Sequence, residues 1–421
     1  MKVELGYGDG FKSLWIPEDM QADIMRAGSC PKMEGKEGRK PVEEALLCPI
    51  GTGRLRDLAK GRHNIVIITS DITRPMPTWA VMPDILAELK QAGVKPSEIT
   101  LVFALGSHRG HTKEEKVHLA GEAVSREIRC IDMDPNDFVH MGQTDHGTPV
   151  DVTRAVAEAD FCICLGNIEY HWFAGYSGGA KAVMPGVSTR EAIQINHSLL
   201  TDEEAVVGNA DSPVRRDLEE AALYCPIDFI LNVILDEHKN IIHAVAGHYI
   251  LAHREGCRLL DEIYGREIDE EADIVVVSQG GRPKDLNLYQ MQKALDNARH
   301  AVKKGGIIIL TGEAGEGLGE PVFEEWMVNA GSPGEILERI RREFRLGGHK
   351  AAGFALTMEK AEIFLVSSLE DEFVRSIFMK PYHELQDAFD AAVISKGRGA
   401  RVLVMPYGGS TLPILRKERR G

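Results

Sequence analysis

Short apolar, β-branched runs recur along this chain, each ending in glycine or a polar residue and each followed by a helix-like pattern. They are NIVIIT (64–69), TLVFAL (100–105), DFCICL (160–165), ADIVVV (272–277), GIIIL (306–310), EIFLV (362–366) and ARVLV (400–404). Near-continuous apolar strands alternating with helices fit parallel sheets covered on both faces. Helical patterns fall at 78–92, 113–120, 152–159, 189–198, 253–264, 288–303, 333–343 and 385–392. The expected fold is α/β: two α/β domains with mainly parallel sheets and an active-site crevice between them. A polar run, GREIDEEAD (265–273), precedes a fresh strand and sets the expected boundary, giving domains 1–268 and 269–421.

A chain of 421 residues is long enough for such a pair of domains. Its net charge of −15 argues against nucleic acid or an anionic membrane surface as partner. No run approaches the roughly 20 apolar residues of a membrane span. The start, MKVELGYGDG, lacks the basic and apolar segments of a secretory signal, so a cytoplasmic protein is expected. Cysteines at 30, 48, 130, 162, 164, 225 and 257 are odd in number and scattered, which suits free thiols in a reducing compartment. Cys162 and Cys164 read as core residues of an apolar strand. The terminal RKERR reads as a solvated end.

In open α/β sheets, ligands bind beyond the carboxyl ends of the strands. Here those ends carry the polar chemistry: SDITRP after NIVIIT, GSHR after TLVFAL, GNIEYH after DFCICL, and a stretch ending at Gln290 and Lys293 after ADIVVV. Each cluster has a plain alternative. Asp71 and Thr73 fit a helix N-cap, His108 an exposed loop, and Gln290 with Lys293 a solvated helix face. Their joint placement at successive strand ends favours one shared crevice. The segment 166–197, GNIEYHWFAGYSGGAKAVMPGVSTREAIQINH, adds a lysine, Lys181, set among Ser177, Gly178, Gly179 and Ala180. Glycine lets a ligand approach the main chain closely, and a lysine in such a loop suits covalent or phosphate chemistry. His197 ends an amphipathic stretch; its spacing is compatible with a helix-terminus bond and with a metal ligand. Tyr170, Trp172 and Phe173 read as packing residues. His111, His118, His140, His146, His238, His243, His248 and His253 read as solvated or structural. The cations of RGHTK (109–113) offer a place for a second carboxylate. The acidic TGEAGEGLGE (311–320) does not follow GxGxxG and is a poor pyrophosphate cradle.

Taken together, DITRP, GSHR, HWFAGYSGGAKAVMPG, the Asn196-His197 pair and YQxxK, with LGGHKA (346–351) and PYGGSTLP (406–413), resemble the lactate racemase family over nearly the whole chain. The resemblance implies enzymes that use a nickel-pincer nucleotide to invert the α-carbon of a 2-hydroxy acid by taking and returning hydride. It implies that Lys181 carries the cofactor covalently and that His197 completes the nickel coordination. His108 and His171 become the paired acid/base histidines, and Arg74, Gln290 and Lys293 the substrate contacts. Asp71, Thr73, Ser177, Gly178 and Gly179 become parts of the cofactor-binding loops. Cofactor-biosynthesis proteins are the implied maturation partners, and the substrate is lactate or a larger 2-hydroxy acid. A pyridoxal-phosphate enzyme built on Lys181, and a non-catalytic hydroxy-acid binding protein, are the alternatives.

Overall fold

The computed structural model describes residues 1–25, 40–236 and 239–415. Cys30, His238 and the RKERR tail lie outside the described residues. The chain forms two compact units, one from Cys30–Glu262 and one from Met1–Ser29 with Ile263–Gly421.

The unit Cys30–Glu262 is built on a six-stranded sheet ordered Ile241–Gly247, Phe229–Leu235, Phe161–Asn167, Ile65–Ser70, Ile99–Ala104, Arg129–Asp132. All neighbours are parallel except the pair Phe229–Leu235 and Ile241–Gly247. Ile65 pairs with Ile99 on one side and Phe161 on the other, so these three strands run side by side in register. Ile67, Leu101, Phe103, Ile163, Leu165 and Leu231 pack into one buried core. A β-branched or aromatic side chain withdrawn from water there contributes about 1.5–3 kcal/mol. Helices Thr78–Gln91 and Lys113–Ala120 match the sequence pattern. The pattern at 152–159 does not hold. Pro149–Thr153 is instead a strand, antiparallel to Phe138–Gln143, and only Arg154–Ala157 turns as a helix. Val150, Val152 and Thr153 are β-branched, and such residues favour a pleated surface.

The other unit has its own six-stranded, wholly parallel sheet: Lys380–Tyr382, Ala361–Val366, Val302–Thr311, Ala272–Ser278, Val402–Met405, Ala22–Ile24. Its edge strand comes from the N-terminus, with Ala22 opposite Val402 and Ile24 opposite Val404. The hairpin Lys2–Tyr7 and Gly10–Trp15 adds Val3, Leu5 and Leu14 to a core shared with Ile274, Ile307 and Phe389. The N-terminal stretch expected in the first domain therefore belongs with the C-terminal one, and the division falls before Ile263 rather than after 268. A pairing between residues so far apart in sequence leaves no local trace.

Candidate active site

In the unit Cys30–Glu262, the strand order turns back at Ile65–Ser70, with Ile99–Ala104 on one side and Phe161–Asn167 on the other. Such a reversal opens a crevice at the carboxyl ends of the strands. Asp71 begins the loop after the first of these strands and is buried, yet it caps no helix, since the next begins at Thr78. Its carboxylate instead accepts His108 Nδ1–H at 2.7 Å and the Thr73 hydroxyl at 2.9 Å. Burial pushes the Asp71 carboxyl up, but the His108 ring, the Thr73 hydroxyl and the Arg74 charge outweigh it and hold it below the usual aspartate value. An Nδ1–H directed at Asp71 leaves the Nε2 lone pair of His108 as the basic position.

His111, read from sequence as solvated or structural, is buried behind this loop. Its Nδ1 meets Asp132 at 2.7 Å and its Nε2 accepts the Ile72 N–H at 3.1 Å, so it ties the loop to the end of strand Arg129–Asp132. Arg109 is held by both oxygens of Glu115, at 2.8 and 2.6 Å. The stretch 109–113 thus spends its Arg109 and His111 on internal partners.

Segment 166–197 follows the neighbouring strand. The Ser177 hydroxyl donates to Asn167 O at 2.7 Å and accepts the Glu169 N–H at 2.9 Å, stapling the loop to its strand. Three successive carbonyls then point into the protein. Arg215 donates to Tyr176 O and, at 3.0 Å, to Gly178 O, while His253 Nε2–H donates to Ser177 O at 2.8 Å. Asn232, from the middle of strand Phe229–Leu235, accepts the Gly179 N–H at 2.8 Å. The amides of Ser177, Gly179 and Lys181 are each bonded within the unit. The turn is therefore shaped by buried donors and acceptors before any ligand arrives. At Gly175, φ is +72° and an added Cβ would stand 1.9 Å from Asn209 O. Gly175→Ala is expected to cost at least about 2 kcal/mol, because left-handed strain and a backbone clash add; urea unfolding measures it.

Lys181 sits on the one-turn helix Gly179–Ala182 that this loop feeds. Burial, with the Arg215 and Arg74 charges, holds its amine well below the usual lysine value, and Glu169 only partly opposes this. A neutral amine is a nucleophile, whereas an ammonium is not. His171 is likewise held well below the usual histidine value, by burial first and then by Lys181, Arg74, His197 and Arg215. The same interactions show that these groups share one site. Its Nδ1 accepts the Ala174 N–H at 3.3 Å, so the neutral ring carries hydrogen on Nε2. Phe173 stands among them, its centroid 4.5 Å from the His171 ring, 4.9 Å from the His197 ring and 5.8 Å from Lys181 Nζ. His197, buried on helix Arg190–Ser198, has Nδ1 3.0 Å from Asn196 Oδ1.

Two histidines, His171 and His253, are held well below the usual histidine value when folded, burial being the main cause for both. The unfolded chain takes up those protons near pH 6.5 and the folded chain does not. Stability is thus expected to fall as pH drops below about 6.5, by about 1.4 kcal/mol per pH unit for each such histidine. Melting temperatures between pH 7.5 and 5.5 check this, and a flat or rising profile would contradict it.

Of the residues singled out in the sequence, Asp71, Thr73, Arg74, His108, His171, Ser177, Gly178, Gly179, Lys181 and His197 all lie in this one unit, around the strand ends. Gln290 and Lys293 lie in the other unit, one turn apart on the exposed side of helix Leu288–Arg299. Sequence reasoning missed Arg215 and Asn232; His253, read as solvated or structural, is structural. Asn232 left a signal, a lone amide inside the apolar run FILNVIL.

A two-unit α/β chain with a buried amine, an imidazole paired to a carboxylate and a second imidazole at neighbouring strand ends defines an enzyme-like class of site. Residues 7–208 match the lactate racemase N-terminal domain and residues 268–412 the lactate racemase C-terminal domain. The lactate racemase of Thermoanaerobacterium thermosaccharolyticum is 32% identical, over 97% of this chain and 98% of that protein. The lactate racemase of Lactiplantibacillus plantarum is 34% identical, over 88% of this chain and 89% of that protein. The solved structure of the lactate racemase apoprotein from T. thermosaccharolyticum superposes with a TM-score of 0.82, covering 98% of this chain and 100% of that one. A Thermotoga maritima protein at 17% identity shares the fold, with a TM-score of 0.61. The chain belongs to the lactate racemase family.

Proposed function

We propose that this protein is a racemase or epimerase of a 2-hydroxy acid, lactate or a larger relative, working with a nickel-pincer nucleotide. The observation that carries this reading is a Lys181 amine held well below the usual lysine value in the same unit as two imidazoles, His108 and His171, from the ends of the strands flanking Ile65–Ser70. The residues fit such a group. Lys181 would be the nucleophile that tethers it, and His197 would offer nickel a ring nitrogen. Among the described residues no three His, Cys, Asp or Glu side chains gather to hold a metal ion. The nucleotide would bring the remaining nickel donors, as a pincer does. Asp71, Thr73, Ser177, Gly178 and Gly179 form the loops beside it. When bound, the cofactor supplies a reversible acceptor for the carbinol hydride.

The chain's own residues do the rest. Arg74 holds the substrate carboxylate, with Gln290 and Lys293 as the further substrate contacts that the family resemblance implies. His108, whose Nδ1–H is held by Asp71, accepts the hydroxyl proton at Nε2. The 2-oxo acid that remains is planar at its carbonyl, so hydride can return to either face. His171 serves the opposite face as an imidazolium, donating its Nε2 proton to the oxygen and reverting to the neutral ring. The substrate carboxylate, by offsetting the Arg74 charge, favours the protonated ring. Buried apolar neighbours such as Phe173 keep bulk water from these exchanges.

The test is turnover of 2-hydroxy acids by cofactor-loaded protein, followed as loss of optical activity. Substrate deuterated at the carbinol carbon should keep its label through racemisation in ordinary water. Washout of the label, or no turnover of any 2-hydroxy acid, would overturn the proposal.

A further inference from the structure

Behind His197 lies a chain of buried polar groups that the chemistry above does not use. Asp217, on helix Pro213–Glu220, is fully buried. All of its side-chain partners here are donors: the Thr144 and Thr148 hydroxyls and Asn196 Nδ2–H, the last two at 2.7 and 2.8 Å. Thr144 also accepts the Thr148 N–H at 3.2 Å, which directs its own hydrogen to Asp217. Asn196 is fully buried as well. Its second amide hydrogen goes to Val214 O at 3.1 Å. With both amide hydrogens committed, Asn196 must turn Oδ1 to His197, and an amide oxygen can only accept. Reversing the amide would set its oxygen against the Asp217 carboxylate and strand both hydrogens. A carboxylate buried only for packing is costly, since apolar residues of similar volume fill such space at lower cost. What this one adds is direction.

We infer that Asn196 and Asp217 are positioning residues that hold His197 in the tautomer with hydrogen on Nδ1, so that Nε2 carries the lone pair offered to the metal. The inference rests on reading His197 as the metal ligand. The partner that a ligating histidine keeps on its other nitrogen fixes the tautomer and raises ligand basicity, and removing that partner typically lowers metal affinity about 10–100-fold.

The experiment uses the full chain with nitrogen-15 in its histidines, and long-range proton–nitrogen correlation at pH 8. His197→Gln identifies the resonances. His197 should show a protonated Nδ1 and an unprotonated Nε2. Asp217→Asn, which lets the neighbouring amide reverse, should mix or invert the tautomers. Thr148→Val, which keeps the carboxylate and its bond to Asn196, should leave them unchanged although it loosens the turn. In cofactor-loaded protein, Asp217→Asn should release nickel to a chelator about 10–100 times faster. Hydrogen on Nε2 in the unaltered chain would overturn the inference, even if Asp217→Asn did not fold. So would an Asp217→Asn chain that keeps the original tautomer. These spectra need no turnover, so a chain inactive on every 2-hydroxy acid would sink the racemase reading while leaving the relay standing or falling on its own result.

Discussion

Lys181→Ala should abolish the added mass of the cofactor on the intact protein and drop racemisation to background, while the fold persists. The amine is the only part of this side chain the proposed attachment uses. Its surroundings already favour the uncharged form, through burial and the neighbouring Arg215 and Arg74 charges. Holding a lysine neutral against its ordinary pKa is a cost to folding. Lys181→Met, which fills the space without that cost, should therefore melt at the same temperature or higher. Lys181→Arg should fail to attach the cofactor as well, because a guanidinium stays charged. Stability kept or gained with attachment lost is the signature of a functional residue. Retained cofactor mass in Lys181→Ala would remove the residue from its assigned role.

The second large effect is expected at the two histidines. His108→Asn and His171→Asn should each lower kcat/KM by about 10²–10⁴-fold, the usual contribution of a positioned acid or base. For a true racemisation the two enantiomers have equal free energy, so the loss must be the same in both directions whichever histidine is altered. Only kcat and KM separately can become unequal. The double variant should fall well short of the product of the single losses, since both rings act in one cycle. Asp71→Asn should cost less, about 10–100-fold, because Asp71 acts through the His108 ring rather than on the substrate. Progress curves started from each pure enantiomer decide these points.

The central strands were readable because burial on both faces demands continuous apolar runs. NIVIIT, TLVFAL and DFCICL correspond to Ile65–Ser70, Ile99–Ala104 and Phe161–Asn167. The edge strands Arg129–Asp132, Lys380–Tyr382 and Ala22–Ile24 are short and partly polar, and only pairing across the sheet makes them strands. FILNVIL was as apolar as the others but for Asn232, and that interruption belongs to the site. The loops at the strand ends were legible because glycine, lysine and histidine so close together have little structural use. Arg215 and Asp217 were not, since helix stretches such as PVRRDLEE look solvated on paper. Only the structure shows that Arg215 and Asp217 are fully buried and which groups they serve.

The N-terminal strand has a consequence for how the protein is made. Ala22–Ile24 takes its place beside Val402–Met405, and Leu5 and Leu14 enter the same core. At about 5–20 residues per second, a ribosome needs roughly 20–75 s to travel the intervening chain. Throughout that interval these early apolar residues have no home, while every residue of Cys30–Glu262 emerges before the partner strand does. The strand Ala22–Ile24 is thus among the last to settle, although it leaves the ribosome long before its partner.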